Sequence, residues 1–281
     1  MAGSPVQSLN RRTMLAGTGA LTLTAAPAFA AEALPLRGRL VQGGYAIGRA
    51  QPNAALTVDG EAVGRASASG LFVIGFDRDE PAAYRLAAGS QDRTLTVAPT
   101  SYDVQRIDGL PQSQMAPTDP ALLARIKHEA AQKAEGFASR ADGDGFKDGF
   151  QWPLEHFRVS GRFGNQRVLD GEPKPPHYGI DLAAPTGTPI HAPAPGLIVL
   201  AEPAMFFDGG ITMIDHGQGL ISIYLHQSKQ FVRKGDVVKT GQLIGHVGMT
   251  GRATGPHLCW RLKWRRRNLD PSLLVGDAKT V

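Results

Sequence analysis

The sequence predicts a mainly β protein in which a small immunoglobulin-like β-sandwich, a connecting helix and a second, antiparallel β domain follow one another. Short apolar runs alternate with turn residues over residues 35–100 and again over 150–275, and a single stretch between them has helical spacing. The 281 residues, 42% of them hydrophobic, suffice for two such cores. We therefore divide the chain into a signal at 1–30, the β-sandwich at 35–100, a linker at 101–149 and the second domain at 150–275.

The first 30 residues have the pattern of an export signal. Arg11 and Arg12 precede an uncharged stretch at 14–26, and residues 28–30 have the small-x-small order of a cleavage site. The paired arginines resemble a twin-arginine signal, which carries folded proteins, and an ordinary secretory leader is the alternative. The uncharged stretch is short for a membrane span. We expect an exported, periplasmic protein that does not span the membrane once the signal is removed.

The first β region contains five β-type runs but no site chemistry. Asp59-Gly60 predicts a tight hairpin, and we find no cluster of histidine, cysteine or paired carboxylates. This region is therefore interpreted as a spacer, a wall-contacting module or a cover for the second domain. The runs lie at residues 36–41, 55–58, 71–74, 84–86 and 94–97.

One helix is predicted at about residues 119–140. Asp119 is suited to cap it, and Pro120 takes its first position. We interpret the helix as a connector, and His128 beside its apolar stripe is expected to face solvent. The predicted stripe consists of Leu122, Ile126, Ala130, Ala134 and Phe137.

The second β region carries the chemistry, since seven of the eight histidines lie between His156 and His257. His177 and Asp181 are four residues apart, so they share a face if the segment is extended. His257 and Cys259 are two apart and share a face of a strand for the same reason. These nitrogen, oxygen and sulfur donors suit tetrahedral Zn²⁺ and leave a fourth position for water.

Seven separated blocks appear in an order that resembles the lysostaphin/LytM-type metallopeptidase family over about residues 150–272. The resemblance implies a compact antiparallel β domain with a metal groove. It also implies that the substrates are peptide stems or cross-bridges of peptidoglycan. The blocks are Phe-Gly-Asn-Gln-Arg at 163–167, His-Tyr-Gly-Ile-Asp-Leu-Ala-Ala-Pro-Thr-Gly-Thr-Pro at 177–189, Ile-Asp-His-Gly at 214–217, Tyr-Leu-His at 224–226, Val-Arg-Lys-Gly-Asp at 232–236, Gly-Gln-Leu-Ile-Gly at 241–245 and Thr-Gly-Arg-Ala-Thr-Gly-Pro-His-Leu at 250–258.

The resemblance assigns roles to five residues. His177 and Asp181 match two zinc ligands, and Cys259 stands where the family has its third ligand, a histidine. His226 and His257 match two non-ligand histidines beside the attacking water. One of them would orient and deprotonate that water while the other stabilises the oxyanion or protonates the leaving amine. The implied function is that of a peptidoglycan endopeptidase with one zinc ion per chain.

Cys259 is the departure from the family pattern, and three interpretations compete. A thiolate is a good zinc ligand, although it removes about one unit of positive charge from the site and should acidify water less. The domain is alternatively degenerate and binds the cell wall or activates another wall hydrolase. In the third interpretation Cys259 is a small buried residue. No internal disulfide is available to explain it, because it is the single cysteine.

Basic residues follow Cys259, but the sequence does not indicate nucleic-acid binding. Arg261 and Lys263 continue the face of His257 and Cys259, and we interpret them as a solvated edge, with groove lining as the alternative. The run at 264–267 precedes a turn in an exported domain, and the formal net charge is only +5. DNA and RNA are therefore excluded as partners.

The remaining histidines have structural interpretations. His216 lies in a turn after a strand and is expected to support structure. His191 lies between Pro189 and Pro193 and is interpreted as a packed turn residue, with a role in supporting the metal ligands as the alternative. His156 and His246 are expected at the surface or in the core.

Overall fold

A computed structural model of the protein describes residues 1–3, 34–107 and 117–275. The chain divides into two units, Met1–Glu32 and Ala33–Val281, and the fold described below is that of the second unit. The predicted cleavable signal lies outside the described residues except for residues 1–3, and it stays a prediction. Within the described ranges, no helix combines the length and the apolar character needed to cross a membrane.

The first β region forms two antiparallel sheets, with strand orders β1-β2-β5 and β4-β3-β6-β7. Asp59 and Gly60 join β3 to β4 with φ values of 49° and 84°, so the predicted tight hairpin is confirmed. Two strands were missed: β2, which contains a glycine, and β4, which contains a glycine and has a charged residue at each end. The immunoglobulin-like arrangement stays a prediction. The strands are β1 (Leu36–Arg39), β2 (Tyr45–Arg49), β3 (Ala55–Val58), β4 (Glu61–Arg65), β5 (Leu71–Gly75), β6 (Ala83–Ala88) and β7 (Gln91–Thr96).

The linker contains a strand, β8 (Val104–Ile107), and the helix α1 (Pro120–Ala138). The helix begins as predicted, because the Asp119 side chain accepts a hydrogen bond from the Ala121 amide and Pro120 takes the first position. The predicted apolar stripe is wrong in its middle. Ala130 and Ala134 are exposed, whereas Glu129 and Gly136 are buried.

Polar contacts explain which face of α1 is buried. Glu129 accepts hydrogen bonds from the Phe206 amide at 2.8 Å and from Arg125 at 2.7 Å. Lys133 forms an ion pair with Asp208. These contacts fix the helix against the second β region, so α1 is more than a connector, and apolar spacing alone could not indicate its buried face. His128 is exposed, as predicted.

The second β region is built around an eight-stranded antiparallel sheet of order β18-β14-β15-β16-β20-β12-β9, with β21 paired to β20. Strand β16 is buried along its whole length, which suits its near-continuous apolar sequence. Strands β13, β19 and β17 form a smaller sheet, and β10 pairs with β11 and, in parallel, with β8. The strands are β9 (Arg158–Gly161), β10 (Gln166–Leu169), β11 (Glu172–Pro173), β12 (Ile180–Ala183), β13 (Pro189–His191), β14 (Gly196–Met205), β15 (Gly209–Asp215), β16 (Leu220–Gln227), β17 (Lys229–Gln230), β18 (Val237–Val238), β19 (Leu243–His246), β20 (His257–Trp264) and β21 (Arg267–Leu269), followed by a 3₁₀ helix (Pro271–Leu274).

The two β regions share one hydrophobic core, which extends from Leu34 to Leu274. Gly75 lies so close to Leu269 that an added Cβ atom would approach the Leu269 side chain to 2.7 Å. Glu80 of the first region forms an ion pair of 2.9 Å with Arg267. Both regions therefore lie within one compact unit. The predicted mainly β, antiparallel class is confirmed, while the boundaries of the predicted domains stay predictions.

Candidate metal centre

The register of two strands brings the predicted ligands together. Asp181 on β12 lies directly opposite Cys259 on β20, and Ala183 lies opposite His257. Opposed residues of an antiparallel pair project on the same side of the sheet, so the carboxylate and the thiol meet. His177 precedes β12 in irregular backbone, so the expectation of a strand throughout 177–181 is met only from Ile180 onward. Its imidazole nevertheless reaches the same point.

Three donor atoms converge there. The His177 Nε2 atom lies 3.1 Å from the Asp181 Oδ1 atom and 3.4 Å from the Cys259 Sγ atom. One donor atom from each of the three residues lies within 4.8 Å of the other two. His177 and Cys259 are 1% and 2% exposed, which removes them from competing water. We call this set of three residues the donor cluster.

The donor cluster fits a zinc ion. Asp181 Oδ1 and His177 Nδ1 are buried without a hydrogen-bond partner among the described residues, although buried polar atoms are usually paired. A cation held between the donors would satisfy the carboxylate oxygen. Nitrogen, oxygen and sulfur donors in a set of three match the protein ligands of zinc. The individual ligand roles stay predictions.

The ionised Asp181 carboxylate favours a bound cation, whereas deprotonation of the Cys259 thiol costs free energy. Burial alone would raise the pKa of Asp181, but the adjacent His177 and the charges of His257 and Arg167 outweigh it and hold this pKa well below its usual range. Burial lowers the pKa of His177, so the imidazole stays neutral. Burial and the Asp181 charge raise the pKa of Cys259 to about 12. A metal ion must therefore displace the thiol proton to bind sulfur.

His226 and His257 lie together beside the donor cluster, with their ring centroids 4.7 Å apart. The Nδ1 atom of His226 lies 2.8 Å from the Thr250 carbonyl oxygen, and that of His257 lies 2.8 Å from the Gly255 carbonyl oxygen. Carbonyl oxygens only accept hydrogen bonds, so each Nδ1 carries a proton, and in a neutral ring the lone pair is then on Nε2. The His257 Nε2 atom lies 3.8 Å from Asp181.

The backbone and the burial of His226 are both unusual. Its φ of 64° lies in the left-handed region, which is uncommon for residues other than glycine. Such a conformation costs on the order of 1–3 kcal/mol and persists only where surrounding contacts hold it. Burial and the charge of His257 lower the pKa of His226 to about 4. His226 is therefore a neutral base at neutral pH, held in a fixed orientation.

Two arginines complete the centre, and the sequence assigned neither of them a site role as its first interpretation. Arg167 pairs with Asp181 Oδ2 at 3.3 Å, which leaves Oδ1 facing the other donors. Arg261 donates from Nε to the Cys259 sulfur at 3.4 Å. The solvated-edge interpretation of Arg261 is thus wrong, because its side chain is half-buried and lines the groove. Lys263 instead lies over the Phe137 ring on α1.

These residues line a groove of about 730 Å³, large enough for a peptide segment. Of the described residues that line it, none precedes Arg158, so the first β region forms no part of its wall. The polar and aromatic residues that line it are Arg158, Ser160, Arg167, Lys174, His177, Tyr178, Asp181, Phe207, Asp208, His226, Arg252, Thr254, His257, Cys259 and Arg261.

The other histidines lie away from the groove. His216 is buried; its Nδ1 donates to the Pro195 carbonyl at 2.8 Å and its Nε2 contacts the Ser222 hydroxyl at 2.7 Å, in line with a supporting role. His246 packs edge-on against Phe231 and is half-buried, like His191. His156 is exposed.

An antiparallel β sheet that places such a donor cluster beside two histidines has the metal ligands and the proton-transfer groups of a β-fold metallopeptidase domain. Residues 175–271 match the model of Peptidase family M23, and the chain carries a domain of that family.

Relatives of this chain agree with that assignment. It is 38% identical over 129 residues to peptidoglycan DD-endopeptidase ShyA of Vibrio cholerae and 42% identical over 108 residues to ShyC of the same organism. The matched segments cover 45% and 38% of this chain but only 30% and 24% of those proteins. A crystal structure assigned to peptidase M23 from Pseudomonas aeruginosa is 28% identical, with a TM-score of 0.65, and the match covers 85% of this chain and 96% of that one.

Proposed function

We propose that this protein is a zinc-dependent endopeptidase that hydrolyses peptide cross-links or stems of bacterial peptidoglycan. The observation that carries the proposal is the convergence of His177, Asp181 and Cys259 in a groove that also holds His226 and His257. The M23 domain and the two DD-endopeptidases that it resembles support peptidoglycan as the substrate.

The proposed roles follow from the geometry. His177, Asp181 and Cys259 would hold one zinc ion, which supplies Lewis acidity that polarises a carbonyl group and makes water more acidic. In its neutral form each ring of His226 and His257 accepts a proton at Nε2, because its Nδ1 atom donates to a carbonyl oxygen. One of them accepts a proton from the attacking water, and the other, once protonated, donates to the leaving amine. The burial of the His226 ring and the partial burial of the His257 ring limit competing solvent.

The experiment combines zinc content with digestion of purified peptidoglycan. Wild type should contain about one zinc per folded chain and release soluble peptides, and His257→Ala should lower the rate by on the order of 10²–10⁴-fold. His156→Ala is the matched control, since His156 is exposed and lies outside the groove. Peptide release that survives both a chelator and His257→Ala would refute the proposal.

A second candidate is a catalytically weak or inactive domain that binds cell wall or activates another wall hydrolase. The observation that favours it is the buried Cys259 thiol, whose pKa is raised to about 12 and which therefore resists the deprotonation that zinc binding needs. This candidate predicts binding to peptidoglycan, or stimulation of a second hydrolase, without turnover. Peptide release by the purified protein alone would exclude it.

We also propose that the protein is exported to the periplasm through the signal at residues 1–30. The paired arginines, the uncharged stretch at 14–26 and the small-x-small order of residues 28–30 support this proposal. Replacement of Arg11 and Arg12 together by lysine should retain the precursor in the cytoplasm if the twin-arginine route is used. Unchanged periplasmic yield would favour the ordinary secretory route.

A further inference from the structure

The walls of the groove are predominantly cationic. Five of its side chains are lysine or arginine, against the two carboxylates of Asp181 and Asp208. Asp181 belongs to the donor cluster, and Asp208 forms an ion pair with Lys133 of α1. The groove therefore keeps an excess of basic side chains even when both carboxylates are counted. A groove of this charge favours a ligand that brings its own negative charge.

Arg261 occupies a special place among these basic groups. It follows Cys259 by two residues on β20, so both side chains project on the same face. Its Nε atom donates to the Cys259 sulfur at 3.4 Å. Among the described residues, the two terminal Nη groups have no hydrogen-bond or ion-pair partner. One edge of the guanidinium is thus fixed beside the donor cluster, while the donors at its other end remain available.

Gly179 explains how the arginine reaches this position. A Cβ atom at residue 179 would lie 2.6 Å from the Arg261 Cγ atom and 3.3 Å from the Cys259 sulfur. Because Gly179 has no side chain, the aliphatic part of the Arg261 side chain packs into the space that a Cβ atom would occupy. The guanidinium has little rotational freedom, because the aliphatic part of the side chain packs against the backbone and the Nε atom is hydrogen-bonded to the Cys259 sulfur. Such a preorganised fork suits a carboxylate, which accepts two parallel hydrogen bonds.

We infer that Arg261 binds a free carboxylate of the substrate, located on the carbon that bears the scissile nitrogen. The inference rests on the proposed function and specifies its substrate class. In a peptide, a free carboxylate next to the scissile amide belongs to the residue whose amine is released. An amide bound at the donor cluster would bring that carboxylate, attached to the carbon next to the scissile nitrogen, close to the cluster, and Arg261 is fixed there beside Cys259. Arg167 is less suited to this role because it pairs with Asp181, and Arg252 stacks on the Phe207 ring.

The test uses two synthetic cross-linked stem peptides in which D-alanine is joined to the side-chain amine of a diamino dicarboxylic acid. The two peptides differ only in the carboxyl group on the carbon that bears this amine, which is a free acid in one and a carboxamide in the other. Wild-type, zinc-loaded protein should hydrolyse the acid with a kcat/KM on the order of 10- to 100-fold higher than the amide, as expected for a charge-assisted pair. Arg261→Gln should remove this preference by slowing the acid alone.

Controls separate substrate binding from structural effects. Arg266→Gln removes the same charge from a side chain that is 92% exposed outside the groove, and it should retain the full preference. Arg261→Lys keeps the positive charge but loses the paired N–H donors of the guanidinium, so it should retain part of the preference for the acid. Zinc content and thermal unfolding are measured for each variant. If Arg261→Gln does not fold, Arg261→Lys carries the test, and an unchanged preference in that variant overturns the inference.

Binding measured by calorimetry in the His257→Ala background separates this inference from the proposed function. If wild type hydrolyses both peptides equally and binding shows no preference, the function stands and the carboxylate site is refuted. If neither peptide is hydrolysed but the acid binds more tightly through Arg261, the hydrolytic function fails and the carboxylate site stands. If Arg261→Gln weakens both peptides equally, Arg261 acts through Cys259 and the inference is wrong.

Discussion

Cys259 unites two opposing demands in one side chain. It is the only donor of the cluster that must lose a proton to bind metal at neutral pH, and burial raises its pKa to about 12. Yet its sulfur lies 3.4 Å from Arg261 Nε, so a group that can donate a hydrogen bond to a thiolate is already in place. The metal affinity of the site therefore depends on the environment of the sulfur as much as on the sulfur itself.

Substitution of Cys259 should separate metal binding from catalysis. Cys259→Ser should weaken zinc binding by more than the roughly 10- to 100-fold that loss of an outer-shell partner costs, because an alcohol is a poor zinc ligand. Cys259→His should keep about one zinc per chain and hydrolyse peptidoglycan faster, because a neutral ligand leaves more positive charge on the metal. Competition with a chelating dye and peptide release measure the two effects. Full zinc content in Cys259→Ser would show that sulfur is not a ligand.

His216 should make stability depend on pH. Burial lowers its pKa to about 4, against an ordinary value of 6.5, so the unfolded chain takes up a proton at a higher pH than the folded protein does. Its contribution is complete above pH 6.5 and is lost as the pH falls towards 4, on the order of 3 kcal/mol in all.

The measurement compares free energies of unfolding in urea at pH 7.5 and pH 4.5. His216→Gln should show a smaller loss between these values than wild type. His128→Gln, on an exposed face of α1, should match wild type. Parallel losses in wild type and His216→Gln would contradict the assignment.

At the level of elements, the helix α1 shows where sequence patterns succeed and where they stop. Its start could be predicted because Asp119 and Pro120 act locally, through the backbone of the first turn. Its buried face could not be predicted, because that face is set by partners distant in sequence. The Phe206 amide donates a hydrogen bond to Glu129, and Asp208 forms an ion pair with Lys133. A buried glutamate on a helix cannot be recognised before its partner is known.

The same distinction holds for the strands and the site. Asp59-Gly60 predicted its hairpin because the turn needs two left-handed residues in succession. Strand β4 was missed because its sequence, Glu-Ala-Val-Gly-Arg, has no β-type apolar run, and the strand is ordered by pairing with β3. At the site, strand parity predicted that His257 and Cys259 share a face, whereas the contact between Arg261 and Cys259 depends on space provided by Gly179. Gly179 contributes to the site because it lacks a side chain, and this contribution produces no pattern in the neighbouring residues from which it could be predicted.

Removal of the buried carboxylate on α1 tests how the helix is held. Glu129→Ala should destabilise the protein by about 1–3 kcal/mol, because the partly buried Phe206 amide loses its acceptor. Glu135→Ala is the control on the same helix; Glu135 is exposed and pairs with Lys234 at the surface, so little change is expected. Denaturant unfolding measures both. Equal effects of the two substitutions would mean that α1 is not anchored through Glu129.

At the scale of the whole molecule, the two β regions behave as one structural unit. Their common core is reinforced by the ion pair of Glu80 and Arg267, in which the glutamate side chain is only 6% exposed. The backbone amide of Asn268 also donates to Asp77 at 2.8 Å. The first β region is therefore built into the support of β20 and β21, and β20 carries His257 and Cys259. It acts on the groove through this support, without lining it.

Unfolding should consequently be cooperative. Wild type should show one calorimetric transition for residues 33–281, and Glu80→Ala should lower the free energy of unfolding by roughly 3 kcal/mol, because the largely buried Arg267 loses its partner. Glu61→Ala, which removes an exposed partner of Arg266 at 3.7 Å, should have little effect. Two separate transitions, with the loss in Glu80→Ala confined to one of them, would show that the β regions unfold independently.

The parallel pairing of β8 with β10 bears on the order in which the molecule folds. The hairpins of the first region join strands that are neighbours in sequence, whereas β8 and β10 are separated by the whole of α1 and the chain around it. Contacts across such a span carry a larger loop-closure entropy and form later. Arg167 and Leu169 of β10 line the groove, so this wall is among the last parts to be completed. During most of its folding, the chain would therefore have a formed β scaffold and no enclosed site.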